Sequence, residues 1–142
     1  MERFLGINYA SVPERFGLSV INDQPWTGTR NATTFGPLCI QDEREVYAGL
    51  AGGVGSLPAE LDFAEECLYL NVYRPANTSI TSLFPVLFYI PGGGFTLGGG
   101  SLYDGSVLAQ SNQAIVVTTS YRLGYLGCLC PMPQPNHIWS SR

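Results

Sequence analysis

The sequence predicts an α/β fold built on part of a central sheet. In residues 68–73, Leu68, Leu70 and Val72 alternate with other side chains, which is the period of a half-buried strand. Residues 86–90 form a continuous apolar run, typical of a strand that is buried on both faces of a parallel sheet. These sheet signals are too few for a complete doubly wound domain.

The order of the remaining elements follows from local signals. Pro75 ends the first strand, because proline fixes φ and has no amide hydrogen to donate. Asp104 is suited to cap a helix near residues 105–112, and residues 114–119 have the apolar pattern of another buried strand. We therefore expect residues 86–119 to form one right-handed strand–helix–strand unit.

A glycine run follows the apolar strand and is the main candidate for a functional site. Gly92, Gly93 and Gly94 stand between Pro91 and Phe95, and without Cβ atoms they leave their amide groups uncovered. The Gly93 and Gly94 amides, supported by Gly92 and Phe95, could donate to an oxygen that becomes negative during acyl transfer. A tight turn at a strand end is the alternative. Dinucleotide binding fails, because Leu97 stands where that motif needs its third glycine.

Blocks along most of the chain carry a family resemblance. Residues 65–72 read Glu-Glu-Cys-Leu-Tyr-Leu-Asn-Val, and the glycine run follows them. Similar blocks lie at residues 6–10, 15–16, 26–39 and 121–124. Together they resemble the type-B carboxylesterase and cholinesterase family, in the family's order, over residues 4–127. The departures from its pattern are Asn8, Glu66, Pro91 and Ser120.

The resemblance implies a fold and an activity. It implies an incomplete α/β-hydrolase fold, with the N-terminal strands of the central sheet, the oxyanion loop and one crossover helix. Relatives are serine esterases that act on small-molecule esters, with a nucleophile in Gly-x-Ser-x-Gly followed by an acid and a histidine. Residues 40–64, expected to be a loop, contain no Trp, so a choline substrate has no support. Pro91 is expected to stiffen the entry to the glycine loop.

The catalytic triad of the family is missing from this sequence. No serine lies in Gly-x-Ser-x-Gly; Ser19 and Ser101 each have only half of the motif, and the only histidine is His137 in a divergent tail. We therefore expect a truncated family member with no nucleophile or base, inactive alone. A non-catalytic binding or adhesion module of the same family is the alternative, and an independent small enzyme using Ser101 and His137 is a third.

The resemblance also implies two structural pairs. It predicts a disulfide between Cys39 and Cys67 and an ion pair between Arg15 and Glu65. Two reduced buried thiols are the alternative to the disulfide if the chain stays in the cytosol.

Charge and short motifs restrict the partners. The chain has a net charge of -4 and every basic residue is Arg, which argues against nucleic-acid binding. No apolar run is long enough to span a bilayer. The Cys128-Leu-Cys130 motif is weak evidence for a metal, so neither metal nor cofactor is expected. Asn31 and Asn77 begin glycosylation sequons, conditional on secretion.

The sequence divides into two segments. Residues 1–127 are expected to be a partial carboxylesterase domain, and residues 128–142 a divergent Pro-rich tail. The N-terminus lacks the pattern of a signal peptide, although the family resemblance implies secretion. With residues 86–90 expected to become a bare sheet edge, aggregation or chaperone binding is expected for the isolated chain.

Overall fold

The computed structural model describes residues 1–51, 61–76 and 83–129 of the chain. Its elements, in chain order, are β1 (Glu2–Asn8), β2 (Ala10–Ser11), β3 (Val20–Ile21), β4 (Leu38–Cys39), α1 (Glu43–Ala51), β5 (Phe63–Ala64), β6 (Tyr69–Arg74), β7 (Val86–Tyr89), a 3-10 turn (Gly100–Leu102), α2 (Ser106–Asn112), β8 (Ile115–Thr119) and α3 (Gly124–Cys128). Within these described ranges, no helix combines the length and apolar character needed to cross a membrane.

The main sheet has four strands in the order β1-β6-β8-β7. β1 and β6 are antiparallel, as are β6 and β8, whereas β7 and β8 are parallel and joined through α2. The predicted strand–helix–strand unit is therefore confirmed in its element order and in its parallel pairing. The Asp104 carboxylate accepts a hydrogen bond from the Ser106 amide at 2.8 Å, at the start of α2. Two short pairs, β2 with β3 and β4 with β5, lie outside this sheet.

The best-packed face of the sheet lies against α2. Leu5, Tyr73, Ala109 and Val116 form a buried cluster there, and Tyr73 has no exposed surface. Burial of a large aromatic side chain removes enough apolar area from water to dominate local stability.

A buried polar network accompanies this apolar cluster. Asn71 accepts the Gly6 amide at 3.0 Å and donates to the Thr118 hydroxyl at 3.1 Å. The Thr118 hydroxyl in turn donates to the Gly100 carbonyl at 2.8 Å. Because each of these bonds satisfies a group that burial removes from water, the network joins β1, β6, β8 and the 3-10 turn without a large desolvation cost.

Three sequence expectations need correction. The strand predicted over residues 86–90 is β7, but it is not buried on both faces: Val86 is 63% and Phe88 54% exposed, because β7 is a sheet edge that pairs only with β8 among the described strands. In β6 the alternation is present, but the buried members are Asn71 and Tyr73, while Leu70 and Val72 are only partly buried. Residues 40–64, expected to be a loop, contain α1 and β5.

The segment around α1 is anchored by its own small core. Leu38, Val46 and Leu102 pack together there, and Leu38 and Val46 are each only 2% exposed. Asp42 begins α1: its carboxylate accepts the Arg44 amide at 2.8 Å, as an N-cap residue does.

Candidate functional site

The glycine loop, residues 92–94, lies beyond the carboxyl end of β7, whose last residue is Tyr89. In sheets with parallel strands, this edge is where ligands usually bind. The loop borders an open groove of about 720 Å³. The groove is lined mostly by apolar and aromatic side chains and by the loop backbone: Tyr9, Leu70, Phe88, Ile90, Pro91, Gly92, Gly93, Gly94, Phe95, Thr119 and Tyr121.

A turn fixes the peptide bond between Gly93 and Gly94. The Gly93 carbonyl accepts the amides of Thr96 and Leu97, both at 3.1 Å, and the Thr96 hydroxyl at 3.0 Å. Because a trans peptide is planar, the Gly94 N–H points opposite to that anchored carbonyl. Position 93 must be glycine: its φ is 136°, and a Cβ would lie 1.9 Å from the Leu97 carbonyl oxygen.

The preceding peptide is held by a backbone contact. A Cβ at Gly98 would lie 2.6 Å from the Gly92 carbonyl oxygen, so this carbonyl faces the backbone of Gly98 closely. The Gly93 N–H belongs to the same planar peptide and therefore points the other way. Neither the Gly93 nor the Gly94 N–H donates a hydrogen bond to any residue that the structure describes. Two N–H groups without a described acceptor thus belong to residues that line the groove.

Aromatic contacts hold the rest of the loop. The Tyr121 hydroxyl donates to the Pro91 carbonyl at 2.7 Å, and the Tyr121 ring meets the Phe95 ring edge-on with centroids 6.2 Å apart. The Phe95 carbonyl accepts the Gly124 amide at 2.7 Å. These restraints accompany a φ of 62° at Phe95, a conformation that costs free energy for a residue with a side chain and is concentrated at functional sites.

Sequence reasoning missed the part played by Tyr121. It lies in the Tyr-Arg-Leu-Gly block that marked the family resemblance, but its bond to Pro91 joins residues 30 positions apart. A sequence block that resembles a family does not indicate which distant residue its tyrosine contacts. Membership of that block was the only sequence feature that singled out Tyr121.

Among the described residues that line the groove there is no carboxylate or histidine. Of these lining residues only Tyr9 and Tyr121 have titratable side chains, and the Tyr9 hydroxyl donates to the Ser120 carbonyl at 2.8 Å. Burial raises the pKa of Tyr9 above its ordinary value, so it stays neutral at physiological pH. A general base near neutral pH is therefore missing from the part of the groove that the structure describes.

Of the other sequence-based catalytic candidates, Ser101 does not line the groove beside the loop. Ser101 is buried in the 3-10 turn, 7% exposed, and lines a separate cavity with Leu61 and Asp62. His137 lies outside the described residues, so the Ser101 and His137 pair gains no support.

A disulfide and an ion pair join the N-terminal part of the chain to the segment just before β6. Cys39 and Cys67 form a disulfide with their Cα atoms 4.9 Å apart, and both are buried. Arg15 and Glu65 form a bidentate ion pair, in which Arg15 Nε lies 3.0 Å from Glu65 Oε2. Both side chains of the ion pair are partly exposed to solvent.

One predicted glycosylation sequon can be located. Asn31 is exposed, and its side-chain oxygen accepts hydrogen bonds from the Thr33 amide at 3.1 Å and the Thr33 hydroxyl at 2.7 Å. Asn77, which begins the second sequon, lies outside the described residues. Glycosylation at both sites stays a prediction.

Comparison with known proteins gives consistent matches. The model of the carboxylesterase family matches residues 1–134. Carboxylesterase 4A of Bos taurus is 38% identical over 129 residues, which cover 89% of this chain and 23% of that protein. Carboxylesterase 1D of Rattus norvegicus is 42% identical over 130 residues, 87% of this chain and 22% of that protein. The chain thus spans about a quarter of the length of these relatives.

A solved structure of a thermophilic PNB esterase is also similar. It matches with a TM-score of 0.69 and 34% identity, over 88% of this chain and 25% of that chain. The arrangement of strands around the glycine loop is therefore shared with an esterase.

Proposed function

The chain belongs to the carboxylesterase family and has an incomplete α/β-hydrolase fold, and from this premise we propose that it supplies the oxyanion loop of a carboxylic-ester hydrolase. The observation that carries the proposal is the pair of amides of Gly93 and Gly94, neither of which donates to a described residue; hydrogen bonds hold the Gly93 carbonyl, and the Gly92 carbonyl lies close to Gly98. They open on an apolar groove at the carboxyl end of β7.

The chemistry of the loop follows from these two donors. When a nucleophile attacks the ester carbonyl carbon, the carbonyl oxygen takes the negative charge of the tetrahedral intermediate. Donors that are already oriented need no reorganisation at that moment, and removing one such donor typically costs about 100- to 1,000-fold in kcat. The apolar lining of the groove suits an uncharged acyl or alcohol group, because none of its described lining residues is a carboxylate that would attract a cation.

We further propose that the 142-residue polypeptide is inactive on its own. The sequence contains no Gly-x-Ser-x-Gly, so the loop has no nucleophile whose product it could stabilise. Without the triad, only residual catalysis from binding and the oxyanion donors would remain.

The direct test of inactivity uses the polypeptide itself. It should show no turnover of nitrophenyl acetate or butyrate and no covalent labelling by a fluorophosphonate. Stoichiometric labelling at any serine would overturn the proposal of inactivity.

The positive test uses a chimera that supplies the missing groups. Residues 1–127 would replace the matching segment of rat carboxylesterase 1D, and the chimera should hydrolyse nitrophenyl butyrate. Gly93→Ala in that chimera should lower kcat at least about 100-fold, since the added Cβ displaces the Leu97 carbonyl and with it the loop. Gly49→Ala is the matched control, because a Cβ there meets no atom within 4 Å. A folded chimera with no activity would instead favour a non-catalytic binding role.

A further inference from the structure

The side chain of Gln41 pairs with the backbone at the far end of the glycine loop. Its Oε1 accepts the Gly98 amide at 2.7 Å, and its Nε2 donates to the Gly98 carbonyl at 2.9 Å. The same Nε2 also donates to the Cys39 carbonyl at 2.9 Å. One side-chain amide therefore satisfies both backbone groups of Gly98 and ties them to a residue of the disulfide.

The position of Gly98 determines the direction of a candidate oxyanion donor. Gly98 has a φ of 116° and no side chain, and its Cα lies against the Gly92 carbonyl. Because that carbonyl and the Gly93 N–H belong to one planar peptide, moving Gly98 would rotate the Gly93 N–H away from its present direction. The contacts thus run from Gln41 through Gly98 and Gly92 to Gly93.

The other end of this connection is rigid. Leu38 and Cys39 are each 2% exposed, and the disulfide joins Cys39 to Cys67. Leu38 also packs against Gly99, where a Cβ would lie 2.2 Å from Leu38 Cδ2. The Gln41 side chain is bonded to this buried, cross-linked strand. It can therefore restrain the loop, because holding it in place costs little further conformational freedom.

A simpler role for Gln41 would be to cap the N-terminus of α1, but Asp42 already does this. Asp42 caps the helix with its carboxylate on the Arg44 amide, and its own carbonyl accepts the Val46 amide at 3.2 Å. Among the residues that the structure describes, Gln41 forms no hydrogen bond with α1; its three bonds all go to Cys39 and Gly98.

We propose that Gln41 is a positioning residue of the oxyanion loop, which fixes Gly98 to the disulfide-bonded strand and so sets the direction of the Gly93 N–H. The restraint stands on the contacts above, and only its catalytic consequence rests on the proposed function. It takes part in no bond-making step.

Amide hydrogen exchange of the full chain, carried as a fusion to a soluble protein, tests the restraint. Gln41→Ala should speed exchange in peptides covering residues 91–99 about tenfold, since more than one hydrogen bond is lost. Peptides covering β6 should be unchanged. Gln24→Ala is the matched control, because Gln24 is exposed and, among the described residues, its side chain bonds only to Asp23.

A conservative variant gives a signature that loss of packing would not produce. The carboxylate of Gln41→Glu can still accept a hydrogen bond from the Gly98 amide. It repels the carbonyl oxygens of Cys39 and Gly98, which accept hydrogen bonds from Nε2 in the wild type. Protonation restores one donor, so exchange in residues 91–99 of this variant should approach the wild-type rate as pH falls below about 4. The Gln41→Ala variant, measured at the same pH values, should show no such recovery relative to wild type.

Each outcome decides the proposal. Unchanged exchange in residues 91–99 of Gln41→Ala, or equal acceleration in β6, would overturn it. In the carboxylesterase chimera, Gln41→Ala should lower kcat with little change in KM. If the chimera itself is inactive while exchange in residues 91–99 responds as expected, the proposed function fails and the positioning role stands.

Discussion

The two faces of the main sheet carry similar side chains but are covered to different extents. On the face against α2, Tyr73 and Val116 are 0% and 2% exposed, and the polar Asn71 is 3% exposed. On the opposite face, Phe88 is 54% exposed and borders the groove with Leu70. Burial in this molecule therefore depends on which element packs above a strand, and not on the apolar character of the strand. The glycine loop opens toward the uncovered face.

Truncating one aromatic residue on each face gives the largest expected contrast. Tyr73→Ala should lower the free energy of unfolding by about 3–5 kcal/mol, because it leaves a cavity among Leu5, Ala109 and Val116. Phe88→Ala should change it by less than about 1 kcal/mol, since Phe88 is mostly in solvent. Urea denaturation followed by circular dichroism measures both. Equal losses would mean that the two faces are equally covered in solution.

The disulfide is expected to have the second-largest effect, on the region that carries β4. Replacing Cys39 and Cys67 together by Ser should cost roughly 3–4 kcal/mol, because the bridge closes a long loop in the unfolded chain. Cys128→Ser is the matched control, since Cys128 is an exposed free thiol. An unchanged denaturation midpoint in the double variant would show that the bridge does not form under the conditions used.

The uncovered face should be detectable directly by a hydrophobic dye. The polypeptide should bind such a dye strongly and self-associate, because Val86, Phe88 and Ile90 are exposed beside an edge of β7 that no described strand pairs with. Phe88→Lys should reduce the dye signal severalfold by placing a charge on this edge. Val107→Lys, on the exposed side of α2, should not. A monodisperse polypeptide with a sharp melt and no dye binding would contradict this view of the face.

The sequence was sufficient to locate strands but not to predict their burial. The apolar runs correctly placed β7 and β8, and Asp104 marked the start of α2. The resemblance predicted that β7 would be a sheet edge, which the order of the described strands confirms, but the apolar run by itself indicated burial, because exposure depends on which neighbouring strand and covering helices are present. α1 was missed because its inward contact rests on Val46 among charged residues and glycine, which gives a weak helical period.

The same distinction applies to the candidate site. The glycine run indicated Gly93 and Gly94 as candidate donors, with a tight turn as the alternative, since their lack of Cβ atoms is a local property. The contacts that orient them are not local. Gln41 meets Gly98 across 57 positions and Tyr121 meets Pro91 across 30, so each pairing becomes visible only in the folded chain.

The smallest expected effect concerns the exposed ion pair that joins the N-terminal segment to the start of β6. The hydrogen bond from Arg15 lowers the pKa of Glu65 below its ordinary value of 4.5. The unfolded state therefore binds more protons than the folded state in this range. The stability from the pair is present above about pH 4.5 and is lost as pH falls through the lowered pKa.

Glu65→Gln should accordingly lower the melting temperature slightly at pH 7, and the difference from wild type should shrink as the pH falls below about 4.5 through the lowered pKa of Glu65. The effect should be small, because Arg15 and Glu65 are both accessible to solvent. High salt should weaken the effect further, since it screens exposed charges. Glu14→Gln is the matched control, because Glu14 forms no ion pair with any residue that the structure describes. A difference between Glu65→Gln and wild type that did not shrink as the pH was lowered would assign the effect to packing of the Glu65 side chain, because protonation neutralises the carboxylate that Arg15 attracts.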